Sequence, residues 1–461
     1  MKGKMFLSMF GFVLIFSWLT VFVSMPLFPG EKEMTVSAVG DCLISNKVSF
    51  IKDPGFLKLV ELLKGTDCTY GNCETTFFNP GDGFPAYKDF DPNVYCEPWG
   101  ADELKWMGFD LMSLANNHIM DFDYPGLFAT IKHLDRVGID YAGAGKDLEQ
   151  ASRHGLFETE AGPVSLISCV SWLPERNHKA SLPHPYMKGR PGHNGISTDL
   201  SVQIDKEKMA QLRVLRDQIV YELGESIPEE EKEKELKEKK LRFGDLKFSE
   251  GEKSELMLIP NEKDLERIIQ TIKVAKRNSR LVLISLHEHL GRGKGNTLPS
   301  RFEEKFARSC IDAGADMFIG TGSHQLWGIE IYKGKPIFYS LGNFFFQGPL
   351  RVISPEAFQR FGFAPDTKDP TLYEEKFAEY FKSNVYWESV VPLVTFDGQN
   401  KVKEIALYPI ELNQEAPWHR RGAPRLADKK TGQNIIKRLN EFSKTYNTSI
   451  VFKDGVGKVI L

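Results

Sequence analysis

The strongest constraint in this sequence is a repeated pairing. A short apolar run ends abruptly on a polar residue able to ligate a cation or move a proton. Met34–Val39 runs into Gly40-Asp41, and Cys68–Asn72 into Cys73-Glu74. Phe109–Ala115 stops at Asn116-Asn117-His118, Leu281–Leu286 stops at His287, and Asp316–Ile319 ends at Gly320 with His324 beyond it. Val164–Val170 reads as a further buried strand. Between these runs the apolar spacing is helical over Phe56–Leu63, Ala101–Met107, Pro125–Val137 and Glu303–Ala313. Gly108, Gly138 and Gly314 stand where three of those helices should stop. Ile329–Tyr332 and Pro336–Tyr339 flank Lys333-Gly334-Lys335 as a hairpin. Strands alternating with helices predict an α/β architecture. In open α/β sheets ligands bind outside the carboxyl ends of strands. Five segments obey that rule here, so Asp41, Glu74, Asn117, His118, His287 and His324 are expected to share one cleft.

The rest of the chain bounds the problem. A chain of 461 residues buries a large core without disulfide help. A net charge of −3, no long basic patch and no nucleic-acid motif argue against nucleic acid as the main partner. Met5 to Phe28 carries no charge, and Lys2 and Lys4 precede it. That run is long enough to cross a bilayer, and the lysines put its N-terminal side in the cytoplasm. The expected organisation is a membrane anchor over residues 1–30 and one large domain over 34–461, held outside the membrane as a single-pass protein. The alternative is secretion after cleavage of a signal peptide. The Glu- and Lys-rich stretch at about 206–240 reads as an exposed helical insertion with i,i+4 ion pairs. Ser181–Thr198, with several Pro and Gly, reads as an ordered loop near the cleft. A helix around Gln433–Phe442 and a hairpin of Ser449–Phe452 and Lys458–Leu461 close the chain. The six cysteines form no Cys-x-x-Cys pair and read mostly as small buried apolar residues.

Each polar residue alone has an ordinary reading. A Gly-Asp after a strand is common, Glu74 suits a helix cap, and Asn116-Asn117 suits a turn. Together, carboxylates, an amide oxygen and imidazoles form the donor mixture that hard and borderline divalent cations take. Asp41, Glu74, Asn117, His287 and His324 are the expected ligands, and His118 the expected proton donor to a leaving group. His289 follows His287 at the strand spacing that points both to one face and ranks second as a ligand. Asn116 and Asn343 also rank second, Asn343 as support for a ligand. Gly71-Asn72 reads as turn chemistry. His133 reads as structural, whereas His178–His193 reads as cleft lining.

These motifs resemble the CapA family of capsule and poly-γ-glutamate biosynthesis proteins. The resemblance rests on Val39-Gly40-Asp41, Asn72-Cys73-Glu74, and Ser113-Leu114-Ala115-Asn116-Asn117-His118 with Asp121 following. It continues through Gly143-Ala144-Gly145, Gly189-Arg190-Pro191-Gly192 and Ser285-Leu286-His287, and is strongest over Gly328–Phe344. It implies a metallophosphoesterase-like layered α/β/β/α sandwich following the transmembrane helix. It implies a divalent metal (Mn, Zn, Mg or Fe, one ion or two) and a role in making, exporting or anchoring an anionic γ-glutamyl polymer. The implied partners are that polymer or an intermediate of it, the membrane, and capsule synthesis or export proteins. Two departures stand out. Thr321 occupies a position where the family has a histidine, and Cys42-Leu43 follow Asp41 where related phosphoesterases carry Asp-x-His. One ion, or a weakened pair, is therefore expected, with Cys42 as a substitute thiolate that would favour zinc. Three functions fit the sequence: a metal-dependent hydrolase or transferase in capsule synthesis, a non-catalytic polymer- or partner-binding protein with a degenerate metal site, and a phosphoesterase unrelated to capsule.

Overall fold

The computed structural model describes residues 32–87, 92–171, 178–351 and 354–461. The expected membrane helix lies outside the described residues. Among those described, no helix is long and apolar enough to cross a membrane.

The elements that position the site run in chain order. They begin with β1 (Met34–Leu43), α1 (Pro54–Lys64), β2 (Cys68–Asn72), α2 (Trp99–Met107) and β3 (Leu111–Ser113). Next come α3 (Asp123–Val137), β4 (Asp140–Ala142), β5 (Gly155–Phe157), β6 (Val164–Val170), α4 (Glu262–Asn278) and β7 (Leu281–His287). Then follow α5 (Arg301–Asp312), β8 (Met317–Thr321), β9 (Ile329–Tyr332), β10 (Lys335–Phe338) and β11 (Asn343–Phe346). The chain closes with β12 (Glu388–Phe396), β13 (Val402–Glu411), α6 (Lys429–Ser443), β14 (Ile450–Lys453) and β15 (Val456–Val459).

Two sheets result. A ten-stranded mixed sheet has the order β14-β15-β13-β12-β1-β2-β3-β4, with β11 paired to β1 and Arg425–Leu426 paired to β13. A six-stranded sheet has the order β9-β10-β8-β7-β6-β5. The strands show no clean polar alternation because both faces of each sheet are covered. Val36 and Ala38 of β1 join Leu283 of β7 and Ile319 of β8 in one buried cluster between the sheets. Val39 turns the other way, into a cluster with Leu59 of α1, Leu104 of α2 and Leu134 of α3. Val282 and Ile284 of β7 likewise pack outward against Ile268 of α4 and Phe306 of α5. Successive strand residues therefore feed opposite apolar layers, as a period of two requires.

Several sequence expectations need correction. β1 does not end at Val39. It continues to Leu43 because Asp41–Leu43 acquire a second partner, β11, just over 300 residues away. The register shifts on both sides of Asp41. The antiparallel pair β12 and β13 is not singled out by the sequence pattern at all. The charged stretch does form two helices, Lys206–Glu222 and Glu229–Glu238, but they accompany a four-stranded sheet of their own. The last strand begins at Val456, not Lys458, since Asp454 and Gly455 (φ 52° and 86°) make the turn alone. Helix α5 starts at Arg301, earlier than the apolar spacing implied, because Ser300 caps it by accepting the Glu303 N–H.

Gly40 makes the tight approach of β1 to the segment before β11. Its neighbour Asp41 donates its N–H to the Gly342 carbonyl at 2.9 Å. A Cβ at Gly40 would lie 1.8 Å from that same oxygen, which is backbone and cannot swing aside. Gly40→Ala is expected to lower unfolding free energy by about 3 kcal/mol, at the upper end of overpacking costs. Urea denaturation measures it, and a change below about 0.5 kcal/mol would show that the β1–β11 junction yields freely.

Candidate metal centre

The two sheets bring their strand ends to one place. In the first, Asp41 is level with Asn72 and Asn343, and Asn72 with Ser113. In the second, His287 is level with Val170 and Thr321. Contacts between the layers turn polar as this end is approached. Tyr70 meets Ser285 at 2.6 Å, Ser113 meets Ser168 at 2.6 Å, and Asn72 then meets His287.

Asn72 lies at the centre. Its Nδ2 donates to Asp41 Oδ1 at 2.8 Å and lies 3.1 Å from His287 Nδ1, and its Oδ1 accepts from Asn116 Nδ2. Reading Gly71-Asn72 as a turn was therefore wrong: Asn72 ends a buried strand and ties the site together. The signal was present, since Asn72 is itself a polar strand-end residue.

Asp41 and Glu74 are fully buried. Asp41 Oδ2 accepts the Gly322 N–H at 3.0 Å and lies 3.4 Å from His324 Nδ1. Glu74 Oε1 lies 3.4 Å from His287 Nε2 and 3.9 Å from both His324 Nε2 and His118 Nε2. Asn117 Oδ1 and His289 Nε2 each lie 2.9 Å from His287 Nε2. Asn343 Oδ1 lies 2.9 Å from His324 Nδ1, and its amide group also donates to the His324 carbonyl. His324 itself adopts a left-handed backbone (φ 57°). All the residues expected in the cleft are thus brought together, with His289, Asn116 and Asn343 beside them.

Two donor sets can each hold an ion: Asp41, Glu74 and His287, and Glu74, His289 and His324. Within each set the ligand atoms lie within 4.8 Å of one another, and Glu74 belongs to both. His289 thereby adds an imidazole at the His287 Nε2 edge, opposite Thr321. The Thr321 hydroxyl lies 3.1 Å from His287 Nδ1 and so supports a ligand. Cys42 does not act as a thiolate here. Its side chain sits in the apolar layer under α1, and burial pushes its thiol well above the usual range. The other cysteines are also buried and free.

The donors fit a divalent cation. Two carboxylates are fully buried, and among the described residues neither lysine nor arginine pairs with Asp41. Buried charge of that kind requires a compensating partner. Burial, and then the charges of His324 and His118, hold the His287 imidazole well below its ordinary value. Burial followed by His287 and His324 does the same to His289. Neutral imidazoles keep a lone pair for a metal.

His118 has a partner that the sequence reading did not assign a role. Its Nδ1 donates to Asp121 Oδ2 at 2.8 Å, and that carboxylate also accepts the Val94 N–H. The His-x-x-Asp spacing was the available clue. Nε2 is left facing Glu74 and the cleft.

The family model described as "Bacterial capsule synthesis protein PGA_cap" matches residues 35–348. The chain belongs to that family. The match spans every residue of the centre. Among its relatives, an uncharacterised protein y4sH of Sinorhizobium fredii is 33% identical over 93% of both chains. The PGA biosynthesis protein CapA of Bacillus subtilis is 25% identical over 69% of this chain and 65% of its own. The probable polyglutamine synthesis accessory protein Rv0574c of Mycobacterium tuberculosis is 26% identical over 60% and 55%. The resemblance drawn from the motifs is thus borne out at the level of the family.

The depressed imidazoles have a measurable consequence in metal-free protein. As pH falls below about 6.5, the ordinary histidine value, the unfolded chain takes up protons at His287 and His289 that the folded chain refuses. Protons then favour unfolding. Stability in urea is expected to fall as pH drops from ~6.5 toward 5, and His289→Gln to flatten that slope. An identical slope in the variant would contradict a depressed imidazole at 289.

Proposed function

We propose that this PGA_cap protein is a surface-anchored enzyme of poly-γ-glutamate capsule synthesis, export or anchoring, with a metal-dependent hydrolase- or transferase-type site. The observation that carries it is the pair of donor sets sharing Glu74, with the His118–Asp121 pair at their edge. The two-sheet layering with helices outside both sheets supports a metallophosphoesterase-like sandwich. The names of the CapA relatives support an anionic γ-glutamyl polymer, or a phosphorylated intermediate of it, as substrate.

Asp41, Glu74, His287, His289 and His324 would hold the metal, with Asn117 beside them. A bound divalent ion supplies Lewis-acid polarisation of a phosphoryl or carbonyl oxygen and a water of lowered pKa. The chain's own residues do the rest. Asn72 holds Asp41 and His287 in register. Asp121 fixes the His118 ring through Nδ1, so that Nε2 points into the cleft and can give a proton to the leaving group. As that proton is carried, the buried Asp121 carboxylate stabilises the imidazolium.

For location, the proposal keeps Met5–Phe28 as a membrane anchor. Arg280 supports the geometry. Its guanidinium donates to the carbonyls of Lys32, Ala161 and Asp397, tying down the start of the folded body. From Met34 to Asp41 the strand advances roughly 23 Å at about 3.3 Å per residue. The cleft would then face away from the bilayer.

Protein purified from the membrane without chelator is expected to carry divalent metal by elemental mass spectrometry, and Asp41→Asn with Glu74→Gln to carry none. If no metal copurifies and none binds at micromolar concentration, the enzymatic reading fails. Asp121→Asn should keep its metal and lose about a hundredfold in kcat, the lower range for positioned acid catalysis. Loss of metal from that variant would instead make Asp121 part of the metal support.

A further inference from the structure

A basic surface arm stands near the cleft. Residues 178–198 contain Lys179, Lys188 and Arg190, three histidines and no acidic residue. The stem of this segment stands at the centre. Gly192–His193 pairs with Ala144–Gly145, Asn194 donates to the Ser168 carbonyl, and the chain bridges to Val170, which is level with His287. His193 is near enough to His287 to influence its charge.

The segment is built rather than loose. His184 and Met187 exchange N–H and carbonyl in both directions at 2.8 and 2.9 Å, closing a tip. Arg190 donates its own N–H to Ser181 Oγ and its Nε–H to the Lys179 carbonyl. Lys179 is taken up by Asp264. Lys188 and Arg190 are exposed, and among the described residues neither pairs with a carboxylate. The same tip holds Tyr186 94% and Met187 71% exposed. A hairpin that keeps apolar side chains and unpaired cations together in water is organised for a ligand that is both.

We propose that the arm 178–193 is a subsite for an anionic polyamide chain, its carboxylates held by Lys188 and Arg190 and its methylenes lying along Tyr186 and Met187. This rests on the functional reading above and adds the place where polymer beyond the reacting unit is gripped. A γ-glutamyl chain matches the surface because each unit carries one carboxylate and two methylenes. An anionic lipid surface has similar chemistry, but the arm lies at the carboxyl ends of the strands. The body is tied to its N-terminal segment at the opposite end, through Arg280 and Lys32.

The test is binding of fluorescently labelled poly-γ-glutamate to the full-length protein in detergent, followed by anisotropy. Lys188→Glu with Arg190→Glu, both exposed, should leave metal content and melting temperature unchanged. It should weaken polymer binding about tenfold at low salt, as expected for reversal of rim charges. The difference should vanish near 1 M salt, where the screening length is roughly 3 Å. If wild type binds and the double variant binds equally well, the arm assignment falls and the functional reading survives. If wild type does not bind the polymer, both fall. If the variant loses only its association with phosphatidylglycerol vesicles, the arm is a lipid surface and the proposal is overturned.

Discussion

The centre depends on a hydrogen bond that crosses from one sheet to the other. Asn72 Nδ2 is shared between Asp41 on β1 and His287 on β7, and these belong to different sheets. Apolar packing alone would let the two layers slide, because burial is non-directional. The Tyr70–Ser285 and Ser113–Ser168 contacts, buried between the same layers, remove that freedom a few residues below. An unmade hydrogen bond in such a place costs about 1–3 kcal/mol, so the register of the sheets and the geometry of the ligands are fixed by the same groups.

The electrostatics follow from that geometry. Folding drives Asp41 and Glu74 completely out of water and sets near them His287 and His289, whose imidazoles burial holds well below their ordinary pKa. The arrangement is poor as a protein core and good as a cation site. The strain is local: the register shifts around Asp41, Gly40 packs against a backbone oxygen, and His324 takes a left-handed conformation. Violations of ordinary folding rules concentrated at one point are the mark of a functional site paid for elsewhere in the fold.

Much of this was legible in the sequence because strand ends and donor residues coincide. Cys68–Asn72 and Val164–Val170 are strands with the limits the apolar runs gave, and α3 ends at Gly138 in a left-handed conformation. The cleft could be named because its residues are polar interruptions of apolar runs. What stayed hidden was non-local. No pattern near Asp41 announces that β1 will find β11, and Asn72 looked like a turn because its partners lie on other strands. The sheet that flanks the charged stretch was also missed, since its strands are half-exposed and the helices beside it carry little apolar periodicity.

Positions 321 and 289 meet opposite edges of the His287 ring. Thr321 is level with His287 on the adjacent strand, whereas His289 follows His287 two residues along the same segment. From 289 the ring reaches His287 at 2.9 Å and joins Glu74 and His324. The hydroxyl left at 321 turns to His287 Nδ1 and supports the ligand from behind. The imidazole donors therefore come from the end of β7, the segment after it and the segment after β8. A centre built where several strand ends converge gathers its donors from separate segments, because what the chemistry requires is donors around a point and not donors at fixed places in the chain.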